Sequence, residues 1–320
     1  MLSLQPDKLA RVSIPISTGW LLATCMEAKG KQDLWTRQKP EVLGVLREQA
    51  IIQSAESSNR IEGVTVAADR LVPIVMGRSK PRDRSEEEVV GYRKALNWIF
   101  SRKRSVPIEP RTILHFHALA QGGASGDAGK WKTRDNEIVE FLASGERRVR
   151  FVPTPAKEAP DAVRRLCVAY GDALADDRIP PLVTVATFAF DFLCIHPFRD
   201  GNGRVSRMLT TLLLEQQGFV VARYVSLERR VEESKADYYE ILRQCSQGWH
   251  AGKNEIVPWW NYFLSTLRRA YGEFARQVES ASAPAGKTEL IRQVVEQQVG
   301  PFTLAEIRGQ CPAVSDQLIK

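Results

Sequence analysis

The stretch His196-Pro-Phe-Arg-Asp-Gly-Asn-Gly-Arg-Val-Ser-Arg207 gathers, within twelve positions, residues that can move a proton and hold polyanionic charge. Histidine has an ordinary pKa that lets it act as a base near neutral pH, so His196 is a candidate general base. Gly201 and Gly203 permit positive φ, so the backbone between them can turn its N–H groups toward one concavity. The helix fed by this loop adds free N–H groups and the positive end of its dipole. Arg204 and Arg207 are three apart, on one face of that helix's first turns. Asp200 supplies a hard oxygen suited to Mg2+ bound jointly with phosphates. A base, a metal carboxylate and an anion cradle add up to phosphoryl or nucleotidyl transfer. A lone glycine pair, or a lone histidine at a helix end, is an ordinary structural feature. The full string is far more specific, because each position has a role.

Helices must carry these groups. Residues 181–196 are apolar nearly all round, which predicts a helix at the centre of the core that delivers His196 at its end. Its partner is predicted over 205–217 and stopped by Gly218. Upstream, residues 40–76 read as helical, with Pro40 and Glu41 at a helix start and Gly63 at the C′ position of a segment covering 51–61. Residues 78–85 read as a loop. Ser85 and Glu88 then form a capping-box pattern for a helix carrying Val89, Tyr92, Leu96, Trp98, Ile99 and Phe100. A helix over 110–121 is followed by a glycine-rich loop over 122–129. The segment 137–152 reads as two short strands around a turn at 143–146, ended by Pro153 and Pro155. Helices follow over 157–174, 229–246 and 257–279. Trp259, Trp260, Cys194 and a hydrogen-bonded His117 read as packing residues.

Residues 280–286 are a small-residue linker. Beyond it, 287–298, 303–310 and the stretch from Val314 onward read as the three short helices of a partial winged helix-turn-helix. This segment holds four basic and four acidic residues, and its neutrality weakens a DNA-binding reading. A small helical packing or dimerisation element is the alternative.

Composition bounds the rest. The chain has 320 residues, enough for two domains at about 150 residues each. Hydrophobic residues make up 43% and charged residues 26%, which excludes a wholly disordered chain. No uncharged run reaches the ~20 residues of a membrane span, and no apolar h-region follows a basic N-terminus. No membrane partner is therefore expected. The five cysteines form no CxxC pair, so neither a disulfide framework nor a zinc site is expected, and a reducing cytoplasm fits best. The net charge of +7 favours anionic partners such as nucleotides, nucleic acid or acidic surfaces. A single basic cluster such as residues 101–104 is an ordinary solvated surface.

The twelve-residue string resembles the signature of the Fic/Doc family, H-x-F-x-(D/E)-G-N-G-R-x-x-R, and matches it at every defined position. Ser58-Asn-Arg-Ile-Glu62-Gly63 is similar to the family's inhibitory motif, (S/T)-x-x-x-E-(G/N). Tyr92 and Ala95, the hairpin before Phe151-Val-Pro-Thr-Pro155, and Asp237-Tyr-Tyr-Glu-Ile-Leu242 are similar to recurrent features of the same proteins. The resemblance runs from about residue 35 to about 270, and the winged-helix likeness is separate from it.

The resemblance implies a mainly α fold. A Fic-type helical bundle with a β-hairpin flap would be followed by a small winged-helix-like module. It divides the chain into an N-terminal helical region with the inhibitory helix (1–84), a catalytic core (85–279), the linker and the partial module (287–320). It implies a protein adenylyltransferase that moves AMP from ATP, with Mg2+, to a Ser, Thr or Tyr hydroxyl of a target protein. His196 would deprotonate that hydroxyl, and Asp200 would hold Mg2+ against the phosphates. Asn202 would contact phosphates and fix the loop, with Gly201 and Gly203 lining the anion hole. Arg204 would bind the α/β-phosphate region, Arg207 the γ-phosphate, and Phe198 would anchor the core. Tyr239, and Tyr238 beside it, would wall the adenine site, core packing being the alternative. The Doc branch has Lys where Gly203 stands, so the glycine implies AMP rather than phosphate transfer.

Glu62 would pair with Arg207, take the γ-phosphate position and hold the enzyme inactive, with Ser58 on the same helix. The hairpin over 137–152 would dock the target by strand addition. Gly129-Lys-Trp-Lys-Thr-Arg134 departs from the family's GxxR-like stretch before the flap. Removal of AMP, transfer of another nucleotide, and a DNA-binding regulator with a Fic sensor body stay open as alternatives. A homodimer stays open as well.

Overall fold

The structure is a computed structural model that describes residues 2–38, 40–102, 106–121, 127–141, 145–282, 287–296, 298 and 300–311. The expected loop over 122–126, the turn at 143–144, part of the basic cluster at 101–104, linker residues 283–286 and the helix from Val314 onward lie outside the described residues.

Helix α8 (Pro181–Ile195) forms the centre, with almost every residue from Leu182 to Ile195 buried. A helix apolar on all sides is stable only when packed on all sides. Helices α7 (Ala159–Leu174), α9 (Asn202–Gln216) and α12 (Val257–Ser282) supply that packing. Trp259 donates its indole N–H to Ala186 O at 2.7 Å, and Trp260 donates to Thr187 Oγ1 at 2.9 Å. Both tryptophans are therefore buried with their polar atoms satisfied.

A second layer covers α9. It consists of α3 (Pro40–Ile61), α5 (Arg84–Arg102) and α6 (Pro110–Ala120), with α4 (Ala68–Val75) between α3 and α5. The N-terminal segment contributes a short α1 (Pro6–Leu9) and α2 (Ile16–Gln38), which lies along α12. Ser3 and Leu4 donate their backbone N–H groups to the buried Asp191 carboxylate on α8, at 3.0 and 2.7 Å. The only sheet among the described residues is the antiparallel hairpin β1 (Ile138–Phe141) and β2 (Arg147–Phe151). Val139 pairs with Val149 and Ile138 with Phe151, so the register slips at Arg150, as at a β-bulge.

Several element boundaries differ from expectation. Residues 40–61 form one continuous helix, and α9 starts at Asn202, inside the glycine loop. Residues 229–246 are two helices, α10 (Leu227–Glu233) and α11 (Lys235–Ser246), separated at Ser234. Ser85 and Glu88 do not cap α5. Asp83 Oδ1 accepts the Glu86 N–H at 2.9 Å, and Glu86 reaches back to the Arg82 N–H. Glu88 is buried and binds arginines instead. Helices α13 (Lys287–Glu296) and α14 (Leu304–Gln310) share a small cluster of Val294, Ile307 and Cys311. An Arg78–Glu306 ion pair at 2.7 Å ties α14 to the body. The cysteines are free, and among the described residues no helix is long and apolar enough to cross a membrane.

Candidate active site

His196 caps α8 in the left-handed conformation, φ 50 and ψ 59, the one non-glycine residue with positive φ among those described. An L-residue with a bulky side chain adopts αL at a cost of roughly 1–2 kcal/mol, so the surrounding packing must impose it. The ring is fixed through Nδ1, which lies 3.2 Å from Leu193 O and donates to it. That bond sets the tautomer and leaves Nε2 as the acceptor. Burial depresses the His196 pKa to about 4, against the carbonyl contact, which raises it. The ring is therefore neutral at pH 7.

The next residues are pinned from several sides. The Asn202 side chain accepts from Phe198 N–H and donates to Phe198 O, both at 2.9 Å. The Phe198 ring stacks between His117 (centroids 3.8 Å apart) and Trp131 (5.2 Å). Lys132 N–H donates to Pro197 O at 2.9 Å, and Asn136 donates to Phe198 O at 3.2 Å. Buried His117 accepts the Gly129 N–H at Nδ1 (3.0 Å) and faces Asp200 O with Nε2 (3.2 Å). Burial lowers its pKa to about 4 and that of Lys132 to about 8. The carbonyls of Pro197, Phe198 and Asp200 are thus each engaged by a neighbour, and the N–H groups of the first turn of α9 are left without intrahelical partners. Gly201 is the N-cap at φ 79, and a Cβ there would approach Gln121 Nε2 to 2.9 Å.

Arg207 and Glu62 meet. Arg207 Nε donates to Ser58 Oγ at 2.8 Å, and Nη2 donates to Ser58 O at 2.8 Å and to Glu62 Oε1 at 2.7 Å. Arg207 is 7% exposed, and its Nη1 is buried with no hydrogen-bond partner among the described residues. Glu62 is placed by the end of α3. Gly63 at φ 82 and the Val64 N–H to Asn59 O bond at 3.0 Å form a Schellman-type stop. The carboxylate packs directly on the Gly203 backbone, where any Cβ would overlap Glu62 Oε1.

Beside this pair lies a cavity of about 400 Å3, lined among others by Glu62, Cys194, His196, Gly203, Tyr238 and Tyr239. The hairpin closes one side of it with Ile138, Val139, Arg150 and Phe151. Arg150, at the register slip, reaches Tyr239 O, and its guanidinium lies 5.4 Å from the Tyr239 ring centroid. Tyr238 packs edge-on against Tyr239.

Arg204, for which the resemblance implies a phosphate role, is buried among protein groups. It is 1% exposed, and its Nη1 pairs with Glu88 Oε2 at 2.6 Å, with Ala120 O at 3.2 Å and Asn59 Oδ1 at 3.4 Å. Asn202 is likewise committed to the loop backbone. Asp200 is half exposed at 53%, accepts Gly201 N–H through Oδ1 at 2.6 Å, and faces Arg84 through Oδ2 at 3.2 Å. No local signal in the sequence pointed to Arg84, Glu88, Lys132 or Asn136 at this site. Among the described residues no three His, Cys, Asp or Glu side chains cluster to hold a metal by themselves. A single carboxylate still suits Mg2+, which is commonly bound by one or two carboxylates together with substrate phosphates.

A family model described as Fic/DOC matches residues 107–214. The Protein adenylyltransferase Fic of Nematostella vectensis is 27% identical over 212 residues, covering 63% of this chain and 44% of that protein. The chain thus spans less than half the length of this curated relative. A Fic domain containing signaling protein from Bacteroides thetaiotaomicron superposes with a TM-score of 0.65 at 22% identity, over 80% of this chain and 97% of the other. A Fic family protein from Desulfovibrio desulfuricans gives 0.65 at 21% identity, over 98% and 87%. At these identities the structural matches speak for the fold. Residues 107–214, from just before α6 to near the end of α9, therefore match the Fic/DOC family model, and over this region the chain is similar to Fic proteins in sequence and fold.

Proposed function

We propose that this chain is a protein adenylyltransferase, transferring AMP from ATP to a hydroxyl of a target protein, and that Glu62 restrains it. The observation that carries this reading is the pairing of a neutral His196, its Nε2 left as acceptor, with a cavity walled by Gly203 and Tyr239 beside buried Arg207. The name carried by the Nematostella relative supports the same reaction.

The mechanism follows from placement. The nucleoside enters the cavity between Tyr239 and the hairpin, and the triphosphate lies along the α9 N-terminus. Orphan N–H groups and the helix dipole stabilise anionic charge there without reorganising. The target hydroxyl gives its proton to His196 Nε2 and bonds to the α-phosphorus. The bond from that phosphorus to the β-phosphate bridging oxygen breaks, and pyrophosphate leaves with the electron pair. Nearby phosphate charge raises the His196 pKa from about 4 toward the range of a useful base. Bound with the triphosphate, Mg2+ would be held by Asp200 and would neutralise phosphate charge. Arg204 and Asn202 act on the frame: Arg204 ties α9 to α5, and Asn202 fixes the loop that presents the amides.

The Arg207–Glu62 pair supports restraint. Glu62 occupies the guanidinium and the space over Gly203 that a terminal phosphate would use. The hairpin offers a strand edge for an extended target segment. The test is intact-mass spectrometry after incubation with MgATP. The Glu62→Gly protein should gain the mass of AMP, on itself or on a lysate target, and Glu62→Gly/His196→Ala should gain none. Mass gain that survives the loss of His196 contradicts the reading.

A further inference from the structure

Arg84 lies at the first residue of α5, 116 positions from Asp200, and the two side chains meet. Its Nε donates to Glu88 Oε1 at 2.8 Å and its Nη2 to Asp200 Oδ2 at 3.2 Å. Asp200 Oδ1 is already engaged by the Gly201 N–H, so Oδ2 is the oxygen left to face a cation. Arg204 Nη2 stands 3.6 Å from the same oxygen, and its Nη1 pairs with Glu88 Oε2 at 2.6 Å. The four groups close a ring of two guanidiniums and two carboxylates.

The two arginines differ in freedom. Arg204 is 1% exposed and anchored by Glu88 and the Ala120 carbonyl. Arg84 is 55% exposed, and when it lets go of Asp200 it still has Glu88. A guanidinium cannot lose its proton in the working pH range, so it holds the carboxylate oxygen at any such pH. An exposed ion pair is weak enough to be displaced by a more highly charged competitor.

Resting on the reading of Asp200 as the metal carboxylate, we infer that Arg84 is the resident cation of the metal position. In the nucleotide-free protein it takes the Asp200 oxygen that a divalent metal needs. A metal ion arriving with the triphosphate displaces it, because the phosphates supply the remaining ligands. A bare metal ion gains only one carboxylate and meets two guanidiniums. Arg84 thereby makes metal loading depend on the nucleotide.

The test is Mn2+ titration followed by electron paramagnetic resonance of the free ion, with and without ATP, on wild type, Arg84→Gln, Arg84→Lys and Asp200→Ala. Unchanged thermal unfolding establishes that the variants are folded. Arg84→Gln should bind Mn2+·ATP about three- to fivefold more tightly than wild type, the scale of an exposed ion pair. Arg84→Lys should stay near wild type. Equal binding by Arg84→Gln overturns the inference. Weaker binding also overturns it and makes Arg84 a phosphate ligand. Asp200→Ala separates the two levels: if it binds Mn2+·ATP as wild type does, the metal role of Asp200 fails and this inference falls with it. If it binds more weakly while Arg84→Gln is unchanged, only the inference fails.

Discussion

Replacing Glu62 by Gly removes one hydrogen bond to a buried arginine and empties the space above Gly203. Arg207 keeps its two bonds to Ser58, at 2.8 Å each, so the guanidinium stays in place. What is lost is the 2.7 Å charge-assisted bond to Glu62. Such bonds to charged groups are worth about 1.5–3 kcal/mol. The Glu62 side chain is 28% exposed, so solvent screening trims the figure to about 1–2 kcal/mol. A terminal phosphate competing for Arg207 no longer has to break that bond. At ATP concentrations well below saturation, the initial rate should rise about 5- to 30-fold. Steric exclusion over Gly203 adds to this, because the carboxylate lies where even a Cβ would not fit. The assay is incorporation of label from α-labelled ATP into protein, with wild type and variant side by side. Glu62→Gln, which keeps the bulk and loses the charge, should fall between them. Equal rates for all three proteins refute the reasoning, since Glu62 would then hold nothing the nucleotide needs.

Two further outcomes follow from the buried groups around the site. Glu88→Gln leaves Arg204, 1% exposed, facing a neutral partner, and breaking a buried pair in this way costs about 3–5 kcal/mol; urea unfolding should show the midpoint falling accordingly. His117 and His196 each have a folded pKa lowered to about 4 by burial, below the unfolded value near 6.5. The unfolded chain therefore binds more protons across that window, and stability falls as pH drops from about 6.5 to about 4. Each histidine contributes a slope of about 1.4 kcal/mol per pH unit, and His117→Gln should remove one such share in urea titrations run between those limits. An unchanged slope in that variant contradicts the assignment.

The legible part of the site was its contiguous part. A helix C-terminus, a glycine turn and a helix N-terminus are local structures, so residues 196–207 carry their geometry in their own order. The apolar run of α8 announced a central helix for the same reason. What stayed hidden depends on tertiary packing. Glu88 looked like a helix cap, but Asp83 does that work, and Glu88 turns inward to Arg204 on a helix more than a hundred residues away. Arg204 sits one turn from Arg207 on α9, yet their guanidiniums face different neighbours, Glu88 and Glu62. Periodicity could not find α2. Ile16 and Trp20 are 94% and 70% exposed there, while Thr18 and Gln32 are buried, which inverts the pattern that hydrophobic spacing reads. His117 read as a packing histidine, and it does pack, but its two nitrogens also join Gly129 to Asp200 across the glycine-rich loop.

In the proposed reaction His196 Nε2 and the α9 N-terminus act together on the α-phosphorus of ATP. Parallel incubations of the Glu62→Gly protein with α-labelled and γ-labelled ATP test it most directly. Protein-bound label should come from the α position only, and adding His196→Ala should abolish it. Label retained from the γ position, or α label that persists without His196, would contradict it.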